Sequence, residues 1–207
     1  VGVQYYVVRP KDADGELPAM MAIHGGPIAD WGDIWHWRWN SLVMAAEGYV
    51  VAMPNPRGSV GFGQDFIEGI WNNQWGAQCY EDLMAVADAL EARPDVNADD
   101  VTALGGSFGG YMTNWIGTQT DRFSSLVTHA SIFDMRAFHG VTDLPAWWAF
   151  SFGIHPYEER AQYDHYSPIA HISNWKTRTL IIHGDKDYRV PIGESLALFE
   201  ALRVHDV

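Results

Sequence analysis

Ser107 is the residue of this sequence best suited to act as a nucleophile, because it lies at the centre of a G-x-S-x-G pentapeptide, residues 105–109. A predicted apolar strand at residues 101–104 precedes the pentapeptide, and a predicted helix at residues 111–116 follows it. On such a tight strand-to-helix turn a serine is strained, its hydroxyl stands clear of the sheet, and small neighbours avoid collisions with adjacent backbone. The free N–H groups of the helix start would stabilise an oxyanion at the same point. The alternative is a glycine-rich turn that holds a phosphate or simply reverses the chain.

A second glycine motif, HGGP at residues 24–27, is a candidate oxyanion hole. It follows a predicted strand, and its two glycines would let backbone N–H groups approach a reacting carbonyl oxygen closely. A glycine turn without a catalytic role is the alternative.

Asp187 is the candidate acid of a catalytic triad. It lies in the segment HGDKDYRVP, residues 183–191, directly after another predicted strand. Its carboxylate is therefore expected at the same edge of the sheet as Ser107. Asp185 competes for this role, and an acidic turn without catalytic duty is a further alternative.

The candidate catalytic residues follow predicted strands, and these short apolar runs alternate with predicted helices along the chain. This order is typical of a mostly parallel sheet with helices on both faces, whose strand ends gather the loops of a site at one edge. A glycine- and proline-rich stretch, residues 54–63, is interpreted as a loop beside that site. The predicted strands are residues 3–8, 19–23, 49–53, 101–104, 125–128 and 179–182, and the clearest helical stripes are residues 80–93 and 192–202.

Composition narrows the class of protein. The 207 residues suffice for one domain with a sizeable core, and the net charge of −13 argues against binding to nucleic acid or to anionic membranes. There is no uninterrupted apolar run of about 18 residues. The single cysteine, Cys79, excludes an intrachain disulfide, suits a structural thiol and favours a cytoplasmic location. The histidines lack metal-ligand spacing and no Walker-type phosphate loop is present, so we expect no metal and no cofactor.

Four motifs in order resemble the hydrolase domain of the prolyl oligopeptidase family of serine peptidases, and most nearly its acylaminoacyl-peptidase-like and dipeptidyl-peptidase-like branches. These motifs are HGGP at 24–27, NPRGSVGFGQDF at 55–66, GGSFGGYM at 105–112 and HGDKDYRVP at 183–191, so the resemblance covers nearly the whole chain. It implies an α/β-hydrolase fold, in which the chain order of the triad is serine, acid, histidine.

The resemblance also implies roles for individual residues. Ser107 is matched as the nucleophile, Asp187 as the triad acid, and the N–H groups of Gly26 and Phe108 as the oxyanion hole. Arg189 matches a position that often binds a backbone carbonyl of the substrate, with a surface salt bridge as the alternative.

The family's catalytic histidine has no counterpart in residues 1–207. It follows one more strand, whereas here only His205 comes after Asp187, directly at the end of a predicted helix. We interpret His205 as a solvated loop residue and expect a C-terminally incomplete catalytic domain, truncated before the last strand. In the native protein the family implies a β-propeller upstream, and the chain begins at Val1 inside a predicted strand, which leaves a signal peptide or an upstream domain open. A serine without its general base is a weak nucleophile, so this chain alone should be almost inert.

Tryptophans offer candidate substrate contacts. Trp147 and Trp148 fall in the insertion between the strands at 125–128 and 179–182, where they could form an apolar pocket for the side chain before the scissile bond. Core packing is the alternative for this pair. The alternating tryptophans at residues 35, 37 and 39 are expected on a surface that the propeller covers.

Three functions follow from these residues. The first is a serine peptidase acting on short peptides, with a homo-oligomer as an open possibility. The second is a carboxylesterase, since acyl transfer to Ser107 does not distinguish an amide from an ester. The third is a catalytically inactive binding domain, which the absent histidine would explain.

Overall fold

Six strands form one mixed sheet in the computed structural model, which describes residues 2–72 and 74–207. Their spatial order is β1-β3-β2-β4-β5-β6, in which β1 runs antiparallel to β3 and every other neighbouring pair is parallel. The strands are β1 Gln4–Val8, β2 Leu17–Ile23, β3 Val50–Asn55, β4 Val96–Gly106, β5 Ser125–His129 and β6 Thr179–Ile182.

The described residues form eight α-helices and one 3-10 helix, of which all but the last α-helix lie between strands. Helix α3 buries the apolar stripe that its sequence predicts, formed by Leu83, Val86, Ala87 and Leu90. The helices are α1 Ser41–Ala46, α2 Gln64–Glu68, α3 Gln78–Glu91, α4 Phe108–Gln119, α5 Met135–Val141, α6 Pro145–Phe152, α7 Arg160–His165 and α8 Gly193–Val204, and the 3-10 helix is Pro168–Asn174.

The alternation of side chains along the strands divides the core in two. In β2, Met21 and Ile23 belong to the larger core, which α3, α4 and α8 cover, whereas Ala22 belongs to the smaller core on the opposite face. Helix α1 contributes Ala45 to that smaller core. The expected sheet with helices on both faces is therefore confirmed.

Cys79 is fully buried, as a structural thiol should be. Of the three alternating tryptophans expected on one surface, Trp35 and Trp37 are exposed, the latter to 88%. The expectation is wrong for Trp39, which is partly buried and packs against the smaller core. Among the described residues, no helix is long and apolar enough to cross a membrane.

The register brings the loops of the site together. Ile23 of β2 pairs with Gly105 of β4, and Gly106 of β4 pairs with His129 of β5. His129 in turn pairs with Ile182, the last residue of β6. The segments that follow β2, β4, β5 and β6 consequently emerge side by side at one edge of the sheet.

Candidate active site

Ser107 occupies the turn between β4 and α4, with φ 57° and ψ −120°. A positive φ is uncommon for a residue with a side chain, and such strain is concentrated at functional sites. Two backbone hydrogen bonds hold the turn: Ser107 N donates to His129 O at 3.0 Å, and Tyr111 N donates to Ser107 O at 2.9 Å. The half-buried Ser107 lines a cavity of about 390 Å³.

The small residues around Ser107 are required by close backbone approaches. A Cβ on Gly109 would collide with Ile23 O, and a Cβ on Gly105 would collide with the Gly109 backbone. A Cβ on Gly106 would lie 2.8 Å from the Trp39 ring. Only glycine fits these positions, because real Cβ atoms do not approach other heavy atoms so closely.

The HGGP segment packs directly against the serine turn. A Cβ on Gly25 would lie 3.1 Å from Gly106 O and 3.5 Å from Ser107 Cβ. Gly26 has φ 126°, a conformation that favours glycine. The two glycine motifs thus leave little room for a side chain between them. Phe108 begins α4 with its ring buried against Trp75.

The loop after β6 fixes the orientation of Asp187. Its Oδ1 accepts hydrogen bonds from Arg189 N and Val190 N, each at 3.0 Å. Its Oδ2 lies 3.7 Å from His183 Nε2. Asp185, the competing acid, is exposed, whereas Asp187 is partly buried.

His129 lies at the end of the strand between those that carry Ser107 and Asp187. Burial lowers the pKa of its imidazole, as do the positive charge of Arg38 and the neighbouring His183, while the charge of Asp187 raises it. Its ring packs edge-on against Trp39, with ring centres 5.7 Å apart. His129 was not singled out from the sequence, because only the strand order places it between the two candidate catalytic residues.

Arg189 lines the same cavity as Ser107 and also forms an ion pair. Its Nε donates to Asp143 Oδ1 at 2.6 Å, and this hydrogen bond raises the pKa of the guanidinium. Both partners are substantially exposed, so the pair contributes at most about 1 kcal/mol to stability. The guanidinium is therefore at the cavity and held by an interaction weak enough to rearrange.

Trp148 lies in the core. Its side chain is 3% exposed and packs against Phe138 and Trp75, while its Nε1 donates to Thr142 Oγ1 at 3.3 Å. Trp147 stacks edge-on against Trp148 and is partly buried. For Trp148 the structure matches the core-packing alternative, because the apolar helix α6 packs into the larger core. The aromatic residues that line the Ser107 cavity are Trp31 and Trp39.

His183 joins the two ends of the Asp187 loop. Its Nε2 donates to Val190 O at 2.7 Å, since a carbonyl oxygen can only accept, and its Nδ1 lies within hydrogen-bond distance of Ser195 Oγ, at 2.6 Å. The side chain is 3% exposed. The imidazole therefore acts as a brace inside the loop that carries Asp187.

Glu194 ties helix α8 to the segment after β5. Its Oε2 accepts from Phe133 N and Asp134 N, both at 2.8 Å. Burial raises the pKa of this carboxyl to about 7, against the effect of the two N–H donors. The sequence carries no signal for this role, because a glutamate in the first turn of a helix is ordinary.

His205 does not contribute to this site, and the described residues form no metal site. His205 is exposed and caps the end of α8. Within the described ranges, no group of three or more His, Cys, Asp or Glu residues could hold a metal ion.

Sequence comparison identifies relatives among peptidases. The model of the prolyl oligopeptidase family matches residues 35–207. The chain is 37% identical over 209 residues to the uncharacterized peptidase YuxL of Bacillus subtilis, and 38% identical over 213 residues to dipeptidyl-peptidase 5 of Aspergillus oryzae. These alignments cover 98% and 99% of this chain, but only 31% and 29% of the two relatives.

Solved structures of peptidases share this fold. An acylaminoacyl peptidase of Pyrococcus horikoshii superposes with a TM-score of 0.90 at 28% identity, covering 99% of this chain and 33% of that one. A puromycin-hydrolyzing peptidase of Mycobacterium tuberculosis gives a TM-score of 0.87 at 28% identity, covering 98% of this chain and 32% of that one. The sheet and helices described above are those of an α/β-hydrolase.

Proposed function

Because the chain belongs to the prolyl oligopeptidase family, we propose that it forms the core of a serine peptidase that cleaves short peptides through an acyl-enzyme on Ser107. The observation that carries the proposal is the strained turn that holds Ser107 against the HGGP glycines at the wall of one cavity. Peptidase relatives over almost the whole chain support it, and dipeptidyl-peptidase 5 suggests a short peptide as substrate.

The chemistry needs each residue in a distinct role. Ser107 Oγ attacks the scissile carbonyl and forms a C–O bond, and the carbonyl oxygen becomes an oxyanion beside the N–H groups of Gly26 and Phe108. Collapse of this intermediate breaks the C–N bond, and the serine proton passes through a histidine to the leaving amine. Asp187 holds that histidine in its productive tautomer and stabilises its charged form. Arg189 at the cavity wall binds a backbone carbonyl of the peptide.

We propose that a histidine outside residues 1–207 supplies the general base. Two buried histidine rings already have hydrogen-bond partners other than Ser107. His24 contacts Gly25 and Ser59, and His183 contacts Ser195 and Val190. His205 is exposed at the end of α8. The chain spans about a third of the length of the relatives it matches, so the native polypeptide is proposed to include an upstream propeller and the histidine-bearing segment.

Labelling with a fluorophosphonate probe tests this function. The full-length protein should be labelled rapidly, and Ser107→Ala should abolish the labelling. The 207-residue chain should react slowly, because without a base the remaining site gives only about 10³-fold acceleration over water.

Two results would contradict the proposal. Labelling that survives Ser107→Ala would exclude Ser107 as the nucleophile. Rapid Ser107-dependent labelling of the 207-residue chain would show that one of its own histidines acts as the base, with His129 the first to examine. A peptide anilide compared with an ester of the same acyl group would show whether the full-length enzyme is a peptidase or an esterase.

A further inference from the structure

His24 is buried, at 5% exposure, and both of its ring nitrogens lie within hydrogen-bond distance of a partner. Nδ1 lies 2.7 Å from Gly25 O, and Nε2 lies 2.9 Å from Ser59 Oγ. Ser59 Oγ in turn lies 2.6 Å from Pro56 O. The ring thus links the HGGP segment to the loop that follows β3.

A count of protons identifies the tautomer of His24. A carbonyl oxygen can only accept a hydrogen bond, so Nδ1 must carry the proton that faces Gly25 O. Burial favours the neutral imidazole by lowering its pKa, against the raising effects of the Gly25 contact and the charge of Asp30. A neutral ring with a proton on Nδ1 has a bare Nε2. The one hydroxyl proton of Ser59 then has two acceptors within reach, Pro56 O at 2.6 Å and Nε2 at 2.9 Å, and is shared between them.

The bond to Gly25 O determines where the Gly26 N–H points. Gly25 C=O and Gly26 N–H belong to one planar peptide unit, and in a trans unit they point in opposite directions. Two successive glycines have no Cβ to restrict rotation of this unit, so its orientation needs an outside tether. The unit lies next to the serine turn, since a Cβ on Gly25 would be 3.5 Å from Ser107 Cβ.

We propose that His24 is a positioning residue, which holds the Gly25 carbonyl through Nδ1–H and so directs the Gly26 N–H toward the oxyanion that forms on Ser107. The inference rests on the proposed function. Ser59 orients the ring from its far side. The segment that carries Ser59 is itself anchored, because Arg57 makes hydrogen bonds to both carboxylate oxygens of the buried Asp82.

Two substitutions separate the roles of the ring nitrogens. In the full-length protein, His24→Asn places an amide near the position of Nδ1, whereas His24→Gln places one near Nε2. Loss of one oxyanion-hole donor lowers kcat by about 10²–10³-fold, so His24→Gln should show a loss of this size with little change in KM. His24→Asn should recover most of that loss. His205→Gln, at an exposed histidine outside the site, is the control and should behave as wild type.

The outcomes distinguish this inference from the proposed function. If Ser107→Ala leaves peptide hydrolysis intact, the proposed function fails. If Ser107→Ala is inactive but His24→Gln matches wild type, changes only KM, or loses no more kcat than His24→Asn, the positioning role is wrong. Imidazole ¹⁵N NMR of the wild-type protein decides the matter if a variant does not fold: a proton on Nδ1 of His24 supports the proposal, and a proton on Nε2 alone overturns it.

Discussion

Replacing Glu194 by glutamine should stabilise the protein at neutral and alkaline pH while leaving its stability near pH 4.5 almost unchanged. Glutamine keeps a side-chain oxygen that can accept from Phe133 N and Asp134 N, as Glu194 Oε2 does at 2.8 Å. It removes only the charge that burial opposes. The substitution therefore isolates the free energy of ionising a buried carboxyl group.

The magnitude follows from the pKa of Glu194, which rises from 4.5 to about 7 in the folded protein. A carboxyl group with a raised folded pKa binds its proton more tightly in the fold, so it adds stability below pH 4.5. That contribution is lost as pH rises through about 7. At about 1.4 kcal/mol per pKa unit, the loss is about 3 kcal/mol. The glutamine variant should be more stable than wild type by up to this amount at pH 8.

Urea unfolding at pH 4.5, 6, 7 and 8 measures the difference directly, and thermal melts should show it as a gain of about 6–12 °C at pH 8. Glu200→Gln is a matched control on the same helix. Its exposed carboxyl has a pKa lowered by the hydrogen bond from Arg203, so its replacement should give no gain at high pH. Equal stability of wild type and Glu194→Gln at all four pH values would refute the reasoning, as would a variant that is weaker at pH 8.

Three further predictions address the site and the core. In the full-length enzyme, Asp187→Asn should lower kcat by about 10⁴-fold and Asp185→Asn should have little effect, and steady-state kinetics that rank the two variants the other way would reverse the assignment. Gly109→Ala should destabilise the fold by several kcal/mol because its Cβ meets the backbone of β2, whereas Gly140→Ala, also in a helix but with open space around it, should not; denaturant midpoints compare them. The thiol of Cys79, whose pKa is raised by complete burial, should react with a thiol reagent only at the rate at which the protein unfolds, and rapid native-state reaction would contradict its burial.

The positions of the strands could be predicted because short apolar runs bounded by Gly, Pro or polar residues leave few other interpretations. Thr179–Ile182 was predicted with its observed bounds. Val96–Gly106 begins five residues before the predicted strand. Residues 97–100, three of which are polar, form no apolar run, yet Leu17 still pairs with Val96. The Ser107 turn was predictable from the pentapeptide between an apolar run and a helical run. The collision of a Cβ on Gly105 with the Gly109 backbone is local to this turn, whereas those at Gly106 and Gly109 involve Trp39 and Ile23 from other elements.

Residues that act through distant partners could not be predicted in the same way. His129 reaches its place between two strand ends only through the order of β4, β5 and β6. The hydrogen bond of Glu194 to Phe133 N spans 61 residues, and that of His24 to Ser59 spans 35. No periodicity in the sequence encodes such pairs, because they depend on how whole elements pack. The same holds for Trp148, whose helix α6 is apolar on almost every side, so its sequence does not show which side faces the core.

Several polar side chains at this edge of the sheet form hydrogen bonds to the backbone of the loops, for one shared reason. Once a strand ends, its backbone groups lose their ladder partners, and a buried N–H or C=O without a partner is costly. Glu194 satisfies two N–H groups after β5, Asp187 satisfies two after β6, and His24 holds a carbonyl after β2. Each bond that satisfies the backbone also fixes the direction of a loop. The groups proposed to act on the substrate are therefore positioned by the same interactions that make the ends of the sheet stable, so a substitution that spares the fold but redirects one of these bonds should lower kcat without lowering the melting temperature.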